Sequence, residues 1–312
     1  MDTSASAQES VDVTSLPAQL ADLHRHLDGS LRPSTVLDLA TELGLEVPEP
    51  LAFRAGMGLE AALACFHFTL SLLQRSDAIR RVASEICEDA AAEGVTSLEI
   101  RFAPQLHHDM EASIDAALEG IDGRAGLLVC GLYGDEPGLL EELVELARTR
   151  PGVVGLDLAG GPSPDQRWSM RDYRSAFRAA ERAGLGRTVH AGEGRPPDEI
   201  RVAIDELGAQ RIGHGTTLLQ DRSVAELVLE RGVTIEACPT SNVHTGVIGS
   251  VGEHPLRRWL ELGIKVCVCP DNTLFSQVNA RQELGRVAEA LELSDTELAT
   301  LADHGHAALG EA

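Results

Sequence analysis

Short apolar segments alternate with longer amphipathic segments along this chain, and that alternation limits the folds it can adopt. Eight apolar segments have the length and composition of buried β-strands, at residues 20–26, 95–103, 125–132, 153–159, 187–192, 211–214, 233–237 and 265–270. Apolar residues at helical spacing mark several of the intervening segments: 137–149, 170–183, 198–207 and 223–231. Eight β-α units of this kind predict an α/β fold, and specifically a (β/α)8 TIM barrel.

Extra helices are predicted after the first strand and at the C-terminus. The first crossover, at about 33–94, is longer than the others, and its clearest helical segments are 59–73 and 78–93; two closing helices are predicted at 282–291 and 295–301. A doubly wound open sheet would also alternate, but it does not need eight strands, and no Gly-x-Gly-x-x-Gly motif follows the first strand.

Nothing in the sequence divides the chain into two folded units. No linker, internal repeat or low-complexity segment separates the strands, so residues 17–312 are predicted to form a single catalytic (β/α)8 domain. Residues 1–16 are small and polar, which predicts a flexible N-terminal tail.

The balance of charge excludes some partners. The formal net charge is −23, from 26 basic and 49 acidic residues, and a surface this negative repels nucleic acid and anionic membranes. No window approaches 18 uninterrupted apolar residues, the N-terminus lacks the pattern of a signal peptide, and the six cysteines form no Cys-x-x-Cys pair. The sequence therefore predicts a cytoplasmic protein, and it leaves open whether the chain forms a homo-oligomer.

Histidines and an aspartate lie where three of the predicted strands end. His24 and His26 are two residues apart, so a strand points both rings to the same face; His190 ends the fifth strand and Asp271 follows the eighth. The C-terminal ends of barrel strands meet on one rim, and nitrogen and oxygen donors without a thiolate pair suit a catalytic zinc. Each histidine alone could instead be a buried polar residue, and Pro-Asp-Asn alone could be a turn.

Two further residues on the same rim are candidates for proton transfer. Glu193 lies three residues after His190, between two glycines, where it can act as a general acid without binding the metal. His214 ends the sixth strand, also between two glycines. The alternative interpretation is a solvated carboxylate and a turn histidine.

Several motifs in this order resemble those of the adenosine deaminase family of metal-dependent amidohydrolase-like barrels. They are His-Arg-His-Leu-Asp-Gly-Ser at 24–30, Ser-Leu-Glu-Ile-Arg-Phe-Ala-Pro at 97–104, Gly-Leu-Asp-Leu-Ala-Gly at 155–160, Thr-Val-His-Ala-Gly-Glu at 188–193, Arg-Ile-Gly-His-Gly-Thr at 211–216, Cys-Pro-Thr-Ser-Asn at 238–242 and Pro-Asp-Asn at 270–272. Each motif is short, but together they cover most of the chain.

The resemblance implies that His24, His26, His190 and Asp271 hold one Zn²⁺ per chain. It implies that Glu193 gives a proton to the ring nitrogen of a purine, and a closed pocket is expected to raise the pKa of this carboxyl group enough for that role. His214 is implied to orient the attacking water.

The resemblance also implies how the substrate is held. Asp28 would bond the sugar of a nucleoside, and Gly160 would offer its backbone N–H to the purine edge. The family's usual Asp-Asp pair is Asp271-Asn272 here; Asn272 can donate an amide N–H to the substrate, but it cannot supply a proton or a charge.

The function predicted from these features is zinc-dependent hydrolytic deamination of adenosine or a related aminopurine nucleoside, with release of ammonia. One alternative is a deaminase or hydrolase of a different amino-heterocycle or of an N-substituted adenine compound on the same metal site. A second is a nucleoside-binding barrel without turnover.

Overall fold

All eight predicted strands are present, and they form one parallel sheet. They are β1 (Leu20–His26), β2 (Val95–Phe102), β3 (Gly126–Leu132), β4 (Val153–Ala159), β5 (Gly186–Ala191), β6 (Arg211–His214), β7 (Thr234–Ala237) and β8 (Lys265–Val268). Each strand pairs with the next along the chain. The structure is a computed structural model that describes residues 16–57, 59–162 and 166–310.

The barrel closes where β8 returns to β1. Arg25 forms a parallel bridge with Asp271, and the backbone N–H of His26 donates to the carbonyl oxygen of Asp271 at 3.0 Å. The predicted (β/α)8 TIM barrel is confirmed. Two of the predicted metal ligands therefore form part of the closing seam.

Helices surround the sheet in the order expected of such a barrel. They are α1 (Pro33–Leu43), α2 (Leu59–Leu72), α3 (Ser76–Glu93), α4 (Met110–Ile121), α5 (Pro137–Ala147), α6 (Arg174–Arg182), α7 (Asp198–Asp205), α8 (Arg222–Arg231), α9 (Pro239–His244), α10 (Leu256–Glu261), α11 (Thr273–Ser276), α12 (Ala280–Ala290) and α13 (Asp295–Gly310). The extra helices after β1 and at the C-terminus are confirmed.

Some helices differ from the sequence prediction. α4 was not predicted, although the side chain of Asp109 caps its start by accepting from the backbone N–H of Ala112. α13 continues to Gly310, well past residue 301 where the predicted helix ended, and Gly305 lies within it. A Cβ on Gly305 would lie 2.5 Å from the Cβ of Ala21, so this glycine allows the helix to pack closely on β1.

Charged side chains, rather than only branched apolar ones, fill part of the barrel interior. Glu99 and Arg101 of β2, Asp157 of β4, Arg211 of β6 and Glu236 of β7 are all buried and contact one another across the barrel. Barrel interiors are more often packed with layers of Val, Ile and Leu. This ionic layer lies directly against the predicted metal ligands, as described below.

The predicted N-terminal tail lies almost wholly outside the described residues and stays a prediction. Its last residue, Leu16, is described and is buried in the main hydrophobic core. No helix among the described residues is both long and apolar enough to cross a lipid bilayer.

Tight packing between neighbouring strands makes Gly155 of β4 sensitive to substitution. A Cβ there would lie 2.5 Å from Cδ2 of Leu128 and 2.7 Å from the carbonyl oxygen of Gly186. We expect Gly155→Ala to lower the free energy of unfolding by about 1–3 kcal/mol, measured by urea denaturation. Gly138→Ala in α5 is the control, because no atom lies within 4 Å of its added Cβ; an equal loss in both variants would contradict the packing explanation.

Candidate active site

Three imidazole rings converge at the C-terminal rim of the barrel. Nε2 of His190 lies 3.1 Å from Nε2 of His24 and 3.3 Å from Nε2 of His26. The nitrogens of two ligands on one tetrahedral zinc lie about 3.3 Å apart, given Zn–N distances of about 2.0–2.1 Å. The three predicted histidine ligands are therefore brought together with spacings that suit one metal ion.

Carboxylates hold the opposite nitrogens of two of these rings. Nδ1 of His24 donates to Glu236 at 2.6 Å, and Nδ1 of His190 donates to Asp157 at 3.1 Å. Arg101 joins the two acids, because its guanidinium group bonds Asp157 at 2.9 Å and Glu236 at 2.8 Å. Such carboxylate–histidine pairs are typical of metal sites, since they leave the Nε2 lone pairs free to bind the ion.

The protonation states of the rings also suit a metal. Burial is the largest cause that lowers the pKa of His24 and of His26 well below the ordinary value. Both rings are therefore neutral at neutral pH, as metal ligation requires.

Asp271 completes the predicted ligand set. Its Oδ1 lies 3.5 Å from Nε2 of His26 and accepts a hydrogen bond of 2.6 Å from the amide of Asn272. Burial raises the pKa of Asp271 to about 7, so without a cation this carboxyl group is only partly ionised at neutral pH. A carboxylate in this environment fits a place beside a cation, and the four residues together fit a catalytic divalent metal.

A buried cysteine, Cys238, lies close to this cluster. Donor atoms of His24, Cys238 and Asp271 lie within 4.8 Å of one another, as do those of His24, His190 and His214. Cys238 packs with other buried apolar side chains at the barrel core, and burial raises the pKa of its thiol well above the ordinary value. It is therefore protonated, which suits a buried apolar packing role.

Glu193 and His214 face each other beside the imidazole cluster. His214 Nε2 lies 3.9 Å from Glu193 Oε2, and Glu193 Oε1 accepts from Asn242 Nδ2 at 3.4 Å and from Thr245 Oγ1 at 3.2 Å. Asn242 Nδ2 also lies 3.1 Å from His214 Nδ1. Asn242 thus contacts both proton-transfer candidates.

The pKa of Glu193 differs from the expectation. Burial raises the pKa, as predicted, but interactions with His214 first and with Arg195 next outweigh burial, and the net pKa is lowered. Burial lowers the pKa of His214 to about 4, so His214 is uncharged at neutral pH and Arg195 remains as the nearby cation. Glu193 is therefore a carboxylate at neutral pH, and the predicted rise was wrong because contacts with His214 and Arg195, which strand spacing did not reveal, outweigh burial.

Two rim residues have an unusual backbone conformation, and a glycine next to one of them leaves room for a neighbouring ring. His214 and Asp271 both have a left-handed backbone, with φ of 68° and 64°, which non-glycine residues rarely adopt outside strained functional segments. Gly213 makes room for the ring of His24, because a Cβ there would lie 2.7 Å from His24 Cε1. The glycine before His214 thus serves the metal site.

One cavity joins most of the predicted site residues. It has a volume of about 70 Å³, and its described lining includes His26, Phe53, Ala62, Leu63, Phe66, Gly160, His190, Glu193, His214, Ser241, Thr245, Asp271 and Asn272. Asp28 is not among these lining residues, although it is buried, one of its carboxyl oxygens has no partner among the described residues, and burial raises its pKa to about 7. Pockets that enclose drug-sized ligands measure about 300–1,000 Å³, so this cavity is smaller than such a pocket.

A larger groove of about 700 Å³ lies between α1 and α12. Apolar side chains such as Leu31, Val36 and Val278 line it, and its arginines bond acidic side chains or backbone carbonyls. It contains no convergent set of metal or proton-transfer groups among the described residues. We therefore assign the candidate active site to the cavity of about 70 Å³, because the candidate ligands and proton-transfer residues line it.

The sequence missed the residues that support the ligands from behind. Arg101, Asp157 and Glu236 were not given roles, although each is a charged residue at an alternate position of an apolar strand. That pattern signals a side chain directed into a barrel interior. Tyr133 and Arg195, which contact the backbone of His190, carried no such signal.

Known proteins resemble this chain over most of its length. A family model described as adenosine deaminase matches residues 19–308. An adenosine deaminase from Clostridium perfringens is 35% identical over 294 residues, which is 87% of this chain and 88% of that one. The chain belongs to the adenosine deaminase family.

Solved structures of related enzymes share the fold over nearly their whole length. An adenine deaminase from Arthrobacter aurescens has a TM-score of 0.85 and 25% identity, with 93% of each chain covered. An Arabidopsis N6-mAMP deaminase has a TM-score of 0.83 and 26% identity, with 95% of this chain and 94% of that chain covered. This chain also spans 40% of a longer Dictyostelium discoideum protein named a probable adenosine deaminase, to which it is 35% identical.

Membership of the adenosine deaminase family makes the chain a hydrolase that acts on carbon–nitrogen bonds of cyclic amidines. The family also implies a catalytic metal, and the donor set at the rim fits one. The resemblance stated from the sequence motifs is confirmed.

Loss of a ligand should release the metal without unfolding the barrel. We expect His24→Ala to lower the metal content from about one ion per chain to a small fraction of that value, because one of the convergent nitrogens is removed. Metal analysis of the purified protein measures this. His107→Ala is the control, since His107 is also buried but bonds the carbonyl oxygen of Leu73; unchanged stoichiometry in His24→Ala would mean that the ligand set is wrong.

Proposed function

We propose that this protein is a zinc-dependent hydrolytic deaminase of adenosine or a closely related aminopurine nucleoside. The observation that carries the proposal is the convergence of His24, His26 and His190 through their Nε2 atoms, next to Glu193 and His214. A metal-ligating cluster, a carboxylate and a neutral imidazole in one cavity supply the groups that hydrolysis of an amino-heterocycle needs.

The proposed ligands are His24, His26, His190 and Asp271, and the proposed cofactor is one Zn²⁺ per chain. Nitrogen and carboxylate donors with no thiolate suit zinc in a catalytic role. When bound, such a cation supplies a water nucleophile at neutral pH.

Glu193 is the proposed proton carrier. Attack on the amino-bearing carbon of a purine places a proton on the adjacent ring nitrogen, and Glu193 lies in the cavity with Oε1 held by Asn242 and Thr245. Because its lowered pKa makes it a carboxylate before substrate binds, it first accepts the proton that the attacking water loses. It then gives that proton to the ring nitrogen. The bond between the carbon and the amino group breaks as the carbonyl forms, and the amino group takes the remaining proton of the added hydroxyl and leaves as ammonia.

His214 is proposed to orient the attacking water and to stabilise the charge that develops on its oxygen. With the Asn242 amide donating to Nδ1, the ring carries its proton on Nε2, the nitrogen that faces Glu193. A neutral ring can donate from Nε2 to an oxygen that gains negative charge.

The walls of the cavity favour an uncharged purine nucleoside. Phe53, Leu63 and Phe66 offer apolar surface for a flat ring. Gly160 also lines the cavity, and no atom lies within 4 Å of the position where its Cβ would be, so a ligand can approach its backbone. Gly160 and Asn272 are proposed to contact the purine, and Asp28, whose free oxygen is buried near the end of β1, is proposed to bond the sugar. The described lining residues include no Lys or Arg that could neutralise a phosphate.

The alternative substrate class is an N-substituted adenine compound or a different amino-heterocycle. A structural neighbour is named for its action on N6-mAMP and another for its action on adenine, so the fold accepts more than one aminopurine. Asn272 favours this alternative, because its amide is engaged with Asp271 and its carbonyl oxygen has no partner among the described residues. A nucleoside-binding barrel without turnover does not explain why Glu193 and His214 are held together beside the ligands.

A substrate panel tests the proposal. Zinc-loaded protein is mixed with adenosine, 2′-deoxyadenosine, adenine, AMP, N6-methyl-AMP and cytidine, and the released ammonia or methylamine is measured together with the change in ring absorbance. We expect adenosine or its deoxy analogue to give the highest kcat/KM. A preference for N6-methyl-AMP or adenine would favour the alternative, and no release from any compound by zinc-loaded protein would contradict an enzymatic function.

Removal of the proton carrier gives a second test. Glu193→Gln should retain the metal but lose about 10²–10⁴-fold in kcat, because the amide keeps the shape of the side chain and cannot carry a proton. Glu230→Gln on the exposed surface of α8 is the control for loss of a negative charge. Near-normal turnover by Glu193→Gln with full metal content would remove Glu193 from this role.

A further inference from the structure

The loop that carries Glu193 depends on side-chain contacts, and hydroxyl groups of Thr216 and Thr217 already bond its backbone. The loop connects β5 to α7 at residues 192–197, and Glu193 lies between two glycines whose φ values are 69° and 65°. Glycine loses more conformational freedom on folding than other residues, so a carboxylate between two of them needs side-chain contacts to fix its position.

Arg195 supplies that support across both ends of the loop. Its Nη2 donates to the carbonyl oxygen of His190 at 3.1 Å, before the loop, and its Nε donates to Glu199 Oε2 at 2.7 Å, after the loop. The Glu199 carboxylate in turn accepts from the backbone N–H of Gly192 at 3.4 Å. One guanidinium group therefore connects the end of β5, the start of the loop and the first turn of α7.

The aromatic ring of Tyr133 packs against this guanidinium group. The Arg195 Cζ atom lies 5.3 Å from the centre of the Tyr133 ring, within the range of a cation–π contact. The Tyr133 hydroxyl donates to the carbonyl oxygen of His190 at 2.8 Å, the same oxygen that Arg195 bonds. Two donors from separate parts of the chain thus converge on the backbone of a proposed metal ligand.

The remaining bonding capacity of Arg195 also indicates a role at the site. Its side chain is only 15% exposed, and its Nη1 is buried without a hydrogen-bond partner among the described residues. Burial of a cation with an unused N–H is costly, and such groups in native proteins call for a functional explanation.

We propose that Arg195, stacked on Tyr133, is a positioning residue that holds the Glu193 loop in its reactive shape. It does not touch the reacting atoms; it fixes the carboxylate that does. This inference rests on the proposed function for its kinetic consequence, but the mechanical part concerns the loop alone and can be tested without turnover.

Hydrogen exchange of the intact protein, measured by mass spectrometry on peptides covering 190–199, tests the mechanical part. We expect Arg195→Gln to raise the exchange rate of the loop amides several-fold, and Tyr133→Phe, which removes only the hydroxyl, to raise it less. Arg201→Gln is the matched control, because Arg201 is a cation of α7 that bonds Ser223 outside the loop. Unchanged exchange in Arg195→Gln would overturn the proposal.

Kinetics of the zinc-loaded variants test the consequence for catalysis. Misplacement of a reacting group by about 1 Å can cost on the order of a hundredfold, so we expect Arg195→Gln to lose roughly ten- to a hundredfold in kcat, with KM and zinc content within about twofold of wild type. Arg195→Lys keeps the charge but cannot bond His190 and Glu199 together, and we expect it to recover little of kcat.

Full recovery of kcat and loop exchange by Arg195→Lys would mean that charge alone is needed, and would overturn the positioning role. If Arg195→Gln changed only KM and left kcat unaltered, that result would also overturn the positioning role. If the wild-type protein releases no amine from any substrate, the proposed function fails, whereas the exchange rates still decide whether Arg195 holds the loop.

Discussion

The contact on which the rest of the site depends is the pair of salt bridges that Arg101 makes inside the barrel. This one guanidinium group bonds Asp157 and Glu236, and each of those carboxylates bonds the Nδ1 atom of a proposed metal ligand. A buried charge that loses its partner costs about 3–5 kcal/mol, so the three charged groups are stable only as a set. The strands that carry them are therefore fixed relative to one another, and with them the two imidazole rings.

Hydrogen bonds from neighbouring elements explain why left-handed backbone can persist on the rim. His214 and Asp271 have left-handed φ values, and such residues cost about 1–3 kcal/mol each unless the surroundings impose the conformation. Asp271 is held by its backbone bond to His26 across the closing seam of the barrel, and His214 is held by Asn242. Closure of the barrel brings β1 beside Asp271 and so supplies one of these two contacts.

Much of the fold and of the site could be predicted from the sequence, because both follow from spacing along strands. Alternation by two placed His24 and His26 on one face, and the ends of strands placed His190, His214 and Asp271 on one rim; the structure brings these residues together. The spacing of residues along one strand could not predict contacts between side chains on strands that lie far apart in the sequence. Arg101 pairs with Glu236 across 135 residues, and Arg195 reaches back to a backbone carbonyl, a contact that no side-chain pattern records.

The charge state of Glu193 shows how such unpredicted contacts change the chemistry. A closed pocket alone would raise the pKa of a carboxyl group, which is what the sequence leads one to expect. His214 and Arg195 together reverse the direction, so the group starts as a base and must collect its proton during the reaction. Arg195 also bonds both ends of the loop in which Glu193 lies. One side chain thus contributes to the pKa of the proposed proton carrier and to its proposed positioning, and loss of the charge can be separated from loss of the position only by a substitution that keeps one and removes the other.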